Sequence, residues 1–378
     1  MRTITRSERG YSLIEMLIST AIMVTVTGAI FAIVNPSQGT ARVQPEFSDM
    51  QQRGRVGADV LNRDLLMAGA GPYLGPNTGS LMNYFPPVMP YRSGRLYNGT
   101  AGTYTTDAIS IVYVPGTASQ TTLSSSMPNE SAELKVNAQN NCPPGDQLCG
   151  FEEGESLLIF DPVSGAWDSF EVTQVQDDAA HLQHRGQIFN QQYDACPPTC
   201  PPPVVVEVAN HTYYWDQPNL RLMHYDGIAT EVPVLDNVVG VTFTYYGDPN
   251  PPTSPKPPIG QSNCLFNADG TSKLATLPSP SGALVELTEA VLTDGPLCGA
   301  GSSAFDPDLY RVRKIRVQLR VQAADPGLRP TAAALASSPN LRRLFAQPGT
   351  ARLGQGATFV PDYQIQFDVT PRNLNLAR

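Results

Sequence analysis

The chain has 378 residues, enough to bury one large core or two modest ones. With 41% hydrophobic and 16% charged residues, and with 35 Pro and 31 Gly, it reads as rich in strands and loops and excludes a helical bundle. A formal charge of -9 argues against broad binding to nucleic acid or anionic lipid, because either needs a basic footprint.

Residues 1–10, MRTITRSERG, form a short polar leader in which Arg2, Arg6 and Arg9 outweigh Glu8. That balance keeps this end cytoplasmic. Residues 11–34, YSLIEMLISTAIMVTVTGAIFAIV, are apolar or small except for Glu15. As a helix they extend about 36 Å, against a hydrocarbon thickness of about 30 Å, so the run can span a membrane. An ordinary secretory signal is cut after its apolar stretch. Here the order is inverted: the expected cut lies between Gly10 and Tyr11, and the apolar segment stays in the mature chain. The alternative is a cut after Ala41, with Gly39 as the other small residue, but the apolar run exceeds the length of an ordinary signal core. A charge inside hydrocarbon costs about 2.5–3.5 kcal/mol on insertion scales, and such groups usually have a partner and a function. Glu15 either snorkels toward the nearby interface or is compensated by the amine of an adjoining subunit.

The run Arg9-Gly10-Tyr11-Ser12-Leu13-Ile14-Glu15 resembles the class III signal of type IV prepilins and pseudopilins: a basic leader, Gly before the cut, an apolar helix, and Glu at the fifth mature position. The resemblance implies cleavage between Gly10 and Tyr11 by a prepilin peptidase, N-methylation of Tyr11, and a part for Glu15 in filament assembly. Phe is commoner at the first mature position, and Tyr11 departs from the pattern there.

Farther along, Pro36 and Pro45 are expected to interrupt or kink the helix. Phe47, Val56, Val60, Leu61, Leu65 and Ala68 then recur at roughly helical spacing, with Arg53, Arg55, Asp59 and Arg63 on other faces. This predicts an amphipathic stem whose apolar stripe lies on a sheet and which stops at Gly69, Gly71 and Pro72. The stretch 63–69, RDLLMAG, is similar to an Asp-Leu-x-x-Ala-Gly pattern of PilW-like minor pilins; the need for small residues at a helix end accounts for it equally well. Residues 69–106 are rich in Gly, Pro and Asn and are expected to form an extended surface loop.

Strands are predicted at 108–114, 157–160, 170–175, 204–214, 220–225, 238–246, 315–321 and 365–369. In the last two, Ile315, Val317, Leu319 and Val321 alternate with Arg316, Gln318 and Arg320, and Ile365, Phe367 and Val369 alternate with Gln366 and Asp368, the pattern of a half-buried antiparallel sheet. Insertions at 115–154, 247–264 and 323–359 read as extended, exposed loops. The late strands and the terminal FDVTPRNL resemble the C-terminal half of PilW-like proteins.

Six cysteines fall as local couples, Cys142 with Cys149, Cys196 with Cys200, and Cys264 with Cys298. An even count in Pro/Gly-rich loops suggests disulfides and an oxidising compartment, with the connectivity open. Joining Cys264 to Cys298 would stabilise by about 3–4 kcal/mol, whereas Cys142 with Cys149 would only stiffen a tip. His181-x-x-His184 ahead of Cys196-x-x-x-Cys200 has the residue types of a zinc site. On a strand, however, a spacing of three sends the two imidazoles to opposite faces, so no metal and no other cofactor is expected. Asp269-Gly270 and residues 161–165 lack the regularly spaced oxygens of a calcium loop and read as turns.

Arg311, Arg313, Lys314, Arg316 and Arg320 form the only basic cluster and are expected on a solvated sheet face. Removing the leader, with its three Arg and one Glu, takes the formal charge from -9 to -11, and nucleic acid is not expected as a partner. No nucleotide-binding or hydrolase motif appears, and no enzyme activity is expected.

The reading is an α+β chain with a long N-terminal helix, transmembrane then amphipathic, packed on antiparallel sheets with long loop insertions. Its parts are a leader at 1–10, a transmembrane and filament-core helix at 11–34, its amphipathic continuation at 35–71, and an extracytoplasmic β-rich domain at 72–378. The resemblance implies a minor pilin in the inner membrane before assembly and at the pilus or cell surface after it. Its partners would be other minor and major pilins met helix to helix, the prepilin peptidase and the inner-membrane assembly platform. The alternatives are a J-like minor pseudopilin of type II secretion and a pilus-borne adhesin.

Overall fold

A computed structural model describes residues 11–71, 80–96, 102–116, 119–139, 142–184, 188–195, 201–339 and 359–376, with the backbone alone at 35–40. The chain divides into two compact units, Met1–Gln52 with Gln322–Tyr363, and Arg53–Val321 with Gln364–Arg378.

Helix α1 runs from Leu13 to Met67. Of the two expectations at Pro36 and Pro45, an interruption or a kink, the interruption does not occur. A proline removes one ladder bond and clashes with the preceding turn, at about 3 kcal/mol, and here the ladder resumes on either side of each. In the first unit Glu46 on α1 accepts from the backbone N–H groups of Ala324 and, at 3.2 Å, Asp325, just ahead of a 3-10 turn, Pro326–Leu328, that Asp325 caps. Arg329 Nε donates to the Ala323 carbonyl at 2.6 Å, and the Val360 N–H donates to the Leu328 carbonyl at 2.9 Å. The insertion predicted at 323–359 therefore has an ordered start.

Among the described residues the second unit holds four sheets. The five-stranded sheet has the order β1 (Val88–Met89), β2 (Ala108–Tyr113), β10 (Ala209–Asp216), β11 (Arg221–Tyr225) and β12 (Glu231–Asp236), all antiparallel neighbours. A second sheet has the order β14 (Val285–Leu287), β13 (Val238–Gly247), β15 (Val312–Val321) and β16 (Tyr363–Val369). A third runs β3 (Gln120–Thr122), β9 (Val204–Glu207), β5 (Ser156–Phe160) and β6 (Trp167–Glu171). The smallest is β4 (Leu134–Lys135), β8 (His181–Gln183) and β7 (Gln174–Gln176). The alternation in β15 translates directly into burial: Ile315, Val317, Leu319 and Val321 are fully buried, and the residues between them are not.

The later turns of α1 bury Gly54, Gly57, Ala58, Leu61 and Leu65, and Ala68 just after the helix is buried too, while Arg55, Asp59 and Arg63 stay exposed. Val56, expected on the apolar stripe, is exposed, and small residues take its place at helical spacing. The reason is proximity. A Cβ at Gly57 would lie 2.9 Å from Leu235 Cδ2 on β12 and 3.0 Å from Leu319 Cδ2 on β15, so the helix backbone approaches the two larger sheets closely. Gly69 ends the helix with φ +78, the left-handed conformation glycine adopts without cost. Its N–H donates to the Val112 carbonyl at 3.0 Å, tying the helix end to β2.

Two expectations fail in the same way. Residues 80–96 are not a surface loop: Leu81, Phe85, Val88 and Met89 are buried, and Phe85 packs edge-on against Trp167 at 5.1 Å. The insertion at 115–154 likewise supplies Leu123, Met127, Leu134, Val136, Leu148 and Phe151 to a hydrophobic cluster with Leu157, Phe170, Leu182 and Phe189. Gly and Pro predict where a regular ladder stops, whereas exposure depends on where the intervening apolar side chains can go.

Candidate functional site

The N-terminal segment is built on the first turn of α1. The Ser12 hydroxyl accepts from the Ile14 N–H at 3.4 Å, and Glu15 Oε2 accepts from the Ser12 N–H at 2.9 Å. The Ser12-x-x-Glu15 spacing is that of a capping box, in which both side chains satisfy N–H groups that a helix start leaves open. In an apolar medium no water would serve them. The Ser-x-x-Glu spacing is the sequence signal for this cap. Because helix N-termini carry partial positive charge, the carboxylate is also favourably placed. Every side chain of 11–34 is exposed, Tyr11 at 91%. The Leu13–Val34 run has the length and composition to cross a membrane. Gly10 lies outside the described residues.

Cys142 is bonded to Cys149 and Cys264 to Cys298, with Cα separations of 5.5 Å and 5.1 Å. Cys196 and Cys200 lie outside the described residues. His181 Nδ1 lies 3.0 Å from a Glu133 carboxylate oxygen, and His184 bonds to the Ala132 carbonyl at 3.0 Å while packing on Phe189. The two Asp turns spend their carboxylates locally. Asp161 accepts from the Val163 N–H and the Ser164 hydroxyl, and Asp269 accepts from the N–H and hydroxyl of Thr271.

One member of the basic cluster departs from the expected solvated face, while Arg313, Lys314, Arg316 and Arg320 are partly exposed on the outward positions of β15. Arg311 is 1% exposed, paired with Asp308 and donating to the carbonyls of Pro249 at 2.9 Å and Ala275 at 2.6 Å. Arg313 donates to the carbonyls of Tyr310 and Val312. Lys314 and Arg316 both bind Asp368; the Arg316 hydrogen bond, then Lys314, holds that carboxyl down to about 2. A buried cation needs a counter-charge and acceptors on every N–H, and the chain supplies both.

One constellation was missed in the sequence because its members are far apart in it. On the helix-facing side of the five-stranded sheet, His211 Nδ1 and His224 Nε2 are 2.6 Å apart, and both lie near Asp64 of α1. Tyr213 donates its hydroxyl to Asp64 Oδ2, and Tyr113 Oη is 3.2 Å from His211 Nε2. Burial lowers the pKa of both imidazoles, helped at His211 by its neighbour His224.

A family model described as the prokaryotic N-terminal methylation motif matches residues 5–31. No curated protein matches the chain. Among solved structures, a type IV-like pilin from Thermus thermophilus is similar at 16% identity, over 59% of this chain and 87% of that one, with a TM-score of 0.17, a value from which nothing is argued. Three features occur in order along the chain: an N-terminal methylation motif, an apolar helix, and antiparallel sheets after it. The described residues have an α+β fold, with an N-terminal methylation motif at the head of its long helix.

Proposed function

We propose that the chain is cleaved between Gly10 and Tyr11 by a prepilin peptidase, N-methylated at Tyr11, and held in the inner membrane by residues 11–34 with the β-rich domain in the periplasm. From there it joins other minor and major pilins, helix to helix, on the inner-membrane assembly platform. It acts as a PilW-like minor pilin in a tip or priming complex that starts pilus assembly. The observation that carries the reading is Glu15 in the first helical turn, beside the backbone of Ser12 and inside the matched motif. Cleavage would free an amine at Tyr11. In a bundle of parallel helices, that amine in one subunit and Glu15 in the next cancel two charges that neither subunit compensates alone. Four sheets and long insertions make a bulky head, which suits a tip position better than one repeated along a shaft.

The capping box makes the test sharper. Glu15→Gln keeps an acceptor for the Ser12 N–H and removes the charge, whereas Glu15→Ala removes both. Both variants are expected to insert in the membrane, and both to drop at least about tenfold in sheared surface filaments, since the lost pairing is worth more than about 1.4 kcal/mol. Normal recovery of Glu15→Gln would overturn the pairing. The N-terminal peptide of the filament fraction is expected to begin with methylated Tyr11. On deletion, filament loss supports the priming role. Intact filaments with lost adhesion would replace it by the adhesin, and lost protein export by the type II secretion pseudopilin.

A further inference from the structure

We propose that Asp64, His211 and His224 form a binding site for a divalent late first-row metal ion, zinc by its ligand chemistry, which clamps the C-terminal turns of α1 to the five-stranded sheet. The backbone brings them together by simple rules. His224 on β11 is the direct partner of Tyr213 on β10, and His211 precedes Tyr213 by two residues, so all three side chains share a face. Tyr113 on β2 shares it too, since His211 is paired with Ile111, two residues away. Asp64 enters from the helix lying on that face, held by the Tyr213 hydroxyl.

The three ligand atoms lie within 4.8 Å of one another. Two imidazoles and a carboxylate are a donor set suited to zinc and unsuited to calcium or magnesium, which take oxygen. Two strands of the sheet, β10 and β2, each bring an outer partner to the site. Tyr213 orients the Asp64 carboxylate. Tyr113 faces His211 Nε2, and an N–H donated there leaves the lone pair of Nδ1 pointing at the site. Outer partners of this kind fix tautomer and ring orientation, and a mere His–His contact would not require them.

In the structure the two ring nitrogens share a hydrogen bond at 2.6 Å. Zinc at about 2.0–2.1 Å from each nitrogen in tetrahedral geometry needs them about 3.3 Å apart. The required opening is about 0.7 Å, and His224 then carries its proton on Nδ1. All three ligands are half-buried, so an ion can enter, and a fourth position stays open to water or to a donor from another chain. Among the described residues the cation paired with the site is Arg63, 3.8 Å from Asp64 Oδ1; its side chain is 70% exposed and can swing into solvent.

The test uses untagged full-length protein in detergent, stripped with chelator and titrated with zinc against a chromogenic competitor. One equivalent is expected to bind, and to raise the thermal midpoint by about 5 °C when zinc is near a hundred times its Kd. His211→Ala and His224→Gln are expected to abolish that uptake, and Tyr113→Phe to weaken it about 10–100-fold while leaving the metal-free midpoint within a few degrees. Should the histidine variants fail to fold, cobalt bound to the wild-type protein decides: intense visible bands of four-coordinate cobalt support the site, and a weak six-coordinate spectrum overturns it. No zinc uptake by the wild type, or equal uptake by the folded variants, also overturns it.

Discussion

Leu13–Val34 and residues 53–67 belong to one helix, yet they are written for different surroundings. In the first stretch apolar side chains face every direction and all are exposed. That is stable only where the medium is itself apolar. In the second, Leu61 and Leu65 turn inward while Arg55, Asp59 and Arg63 face out. Charges are treated differently as well. Glu15 sits among exposed apolar side chains and answers a helix terminus. Arg311, deep in the second unit, is compensated wholly by Asp308 and backbone carbonyls of the same chain. The contrast teaches that one region finishes its chemistry in its own fold and the other is written to be completed by what surrounds it.

The strongest way to break this comparison is Arg311→Ala. It leaves Asp308 buried without its partner and two carbonyls without donors, and is expected to cost about 3–5 kcal/mol in denaturant unfolding of the full chain in detergent. A loss under about 1 kcal/mol would mean the interior is not self-contained. Next comes a matched pair, Leu65→Ala and Leu17→Ala. The first removes a fully buried side chain and is expected to cost about 2–5 kcal/mol. The second lies in the exposed run and is expected to leave the unfolding midpoint of the sheet domain unchanged, with any effect confined to filament incorporation.

Gly69→Ala is expected to cost about 1–3 kcal/mol. It would place a Cβ at φ +78, 2.6 Å from Leu374 Cδ2, and loosen the junction between α1 and β2. The same readout in the exposed half supplies the control, because a Cβ at Gly28 meets nothing within 4 Å.

The smallest effect is one of pH. Burial, aided by Glu207 and Glu152, raises the Glu155 carboxyl from 4.5 to about 7. The folded chain thus holds a proton that the unfolded chain releases between about pH 4.5 and 7, so stability from this group falls as pH rises through that window and stays low above it. Glu155→Gln is expected to stabilise at pH 8 by up to about 1 kcal/mol, discounted for partial solvent screening, and to change nothing at pH 4. Equal effects at the two pH values would show that packing is responsible.

Particular elements show how much could be read beforehand. The strands at 238–246 and 315–321 were legible because alternation with a period of two needs no partner to be seen, and β13 and β15 occupy those positions. The strand predicted at 204–214 is instead two, β9 and β10, in different sheets, with Val208 between them. An apolar run carries no mark of where the chain changes sheets. β12 was missed because Pro233 interrupts its pattern, and a proline is tolerated there on an edge strand.

The N-terminal motif was complete in the sequence because all of its chemistry is local: leader, glycine, apolar run, and a carboxylate in the first turn. Helix stop, turns and the alternating strands were equally local, and each follows from a period or a single residue's backbone preference. Tertiary structure alone decided the rest. It sent Arg311 inward, buried Leu81, Phe85, Val88 and Met89 ahead of β2, and set Asp64 against two histidines from neighbouring strands. Those outcomes depend on which surfaces meet, and contact between residues distant in the chain leaves no periodic trace in its order.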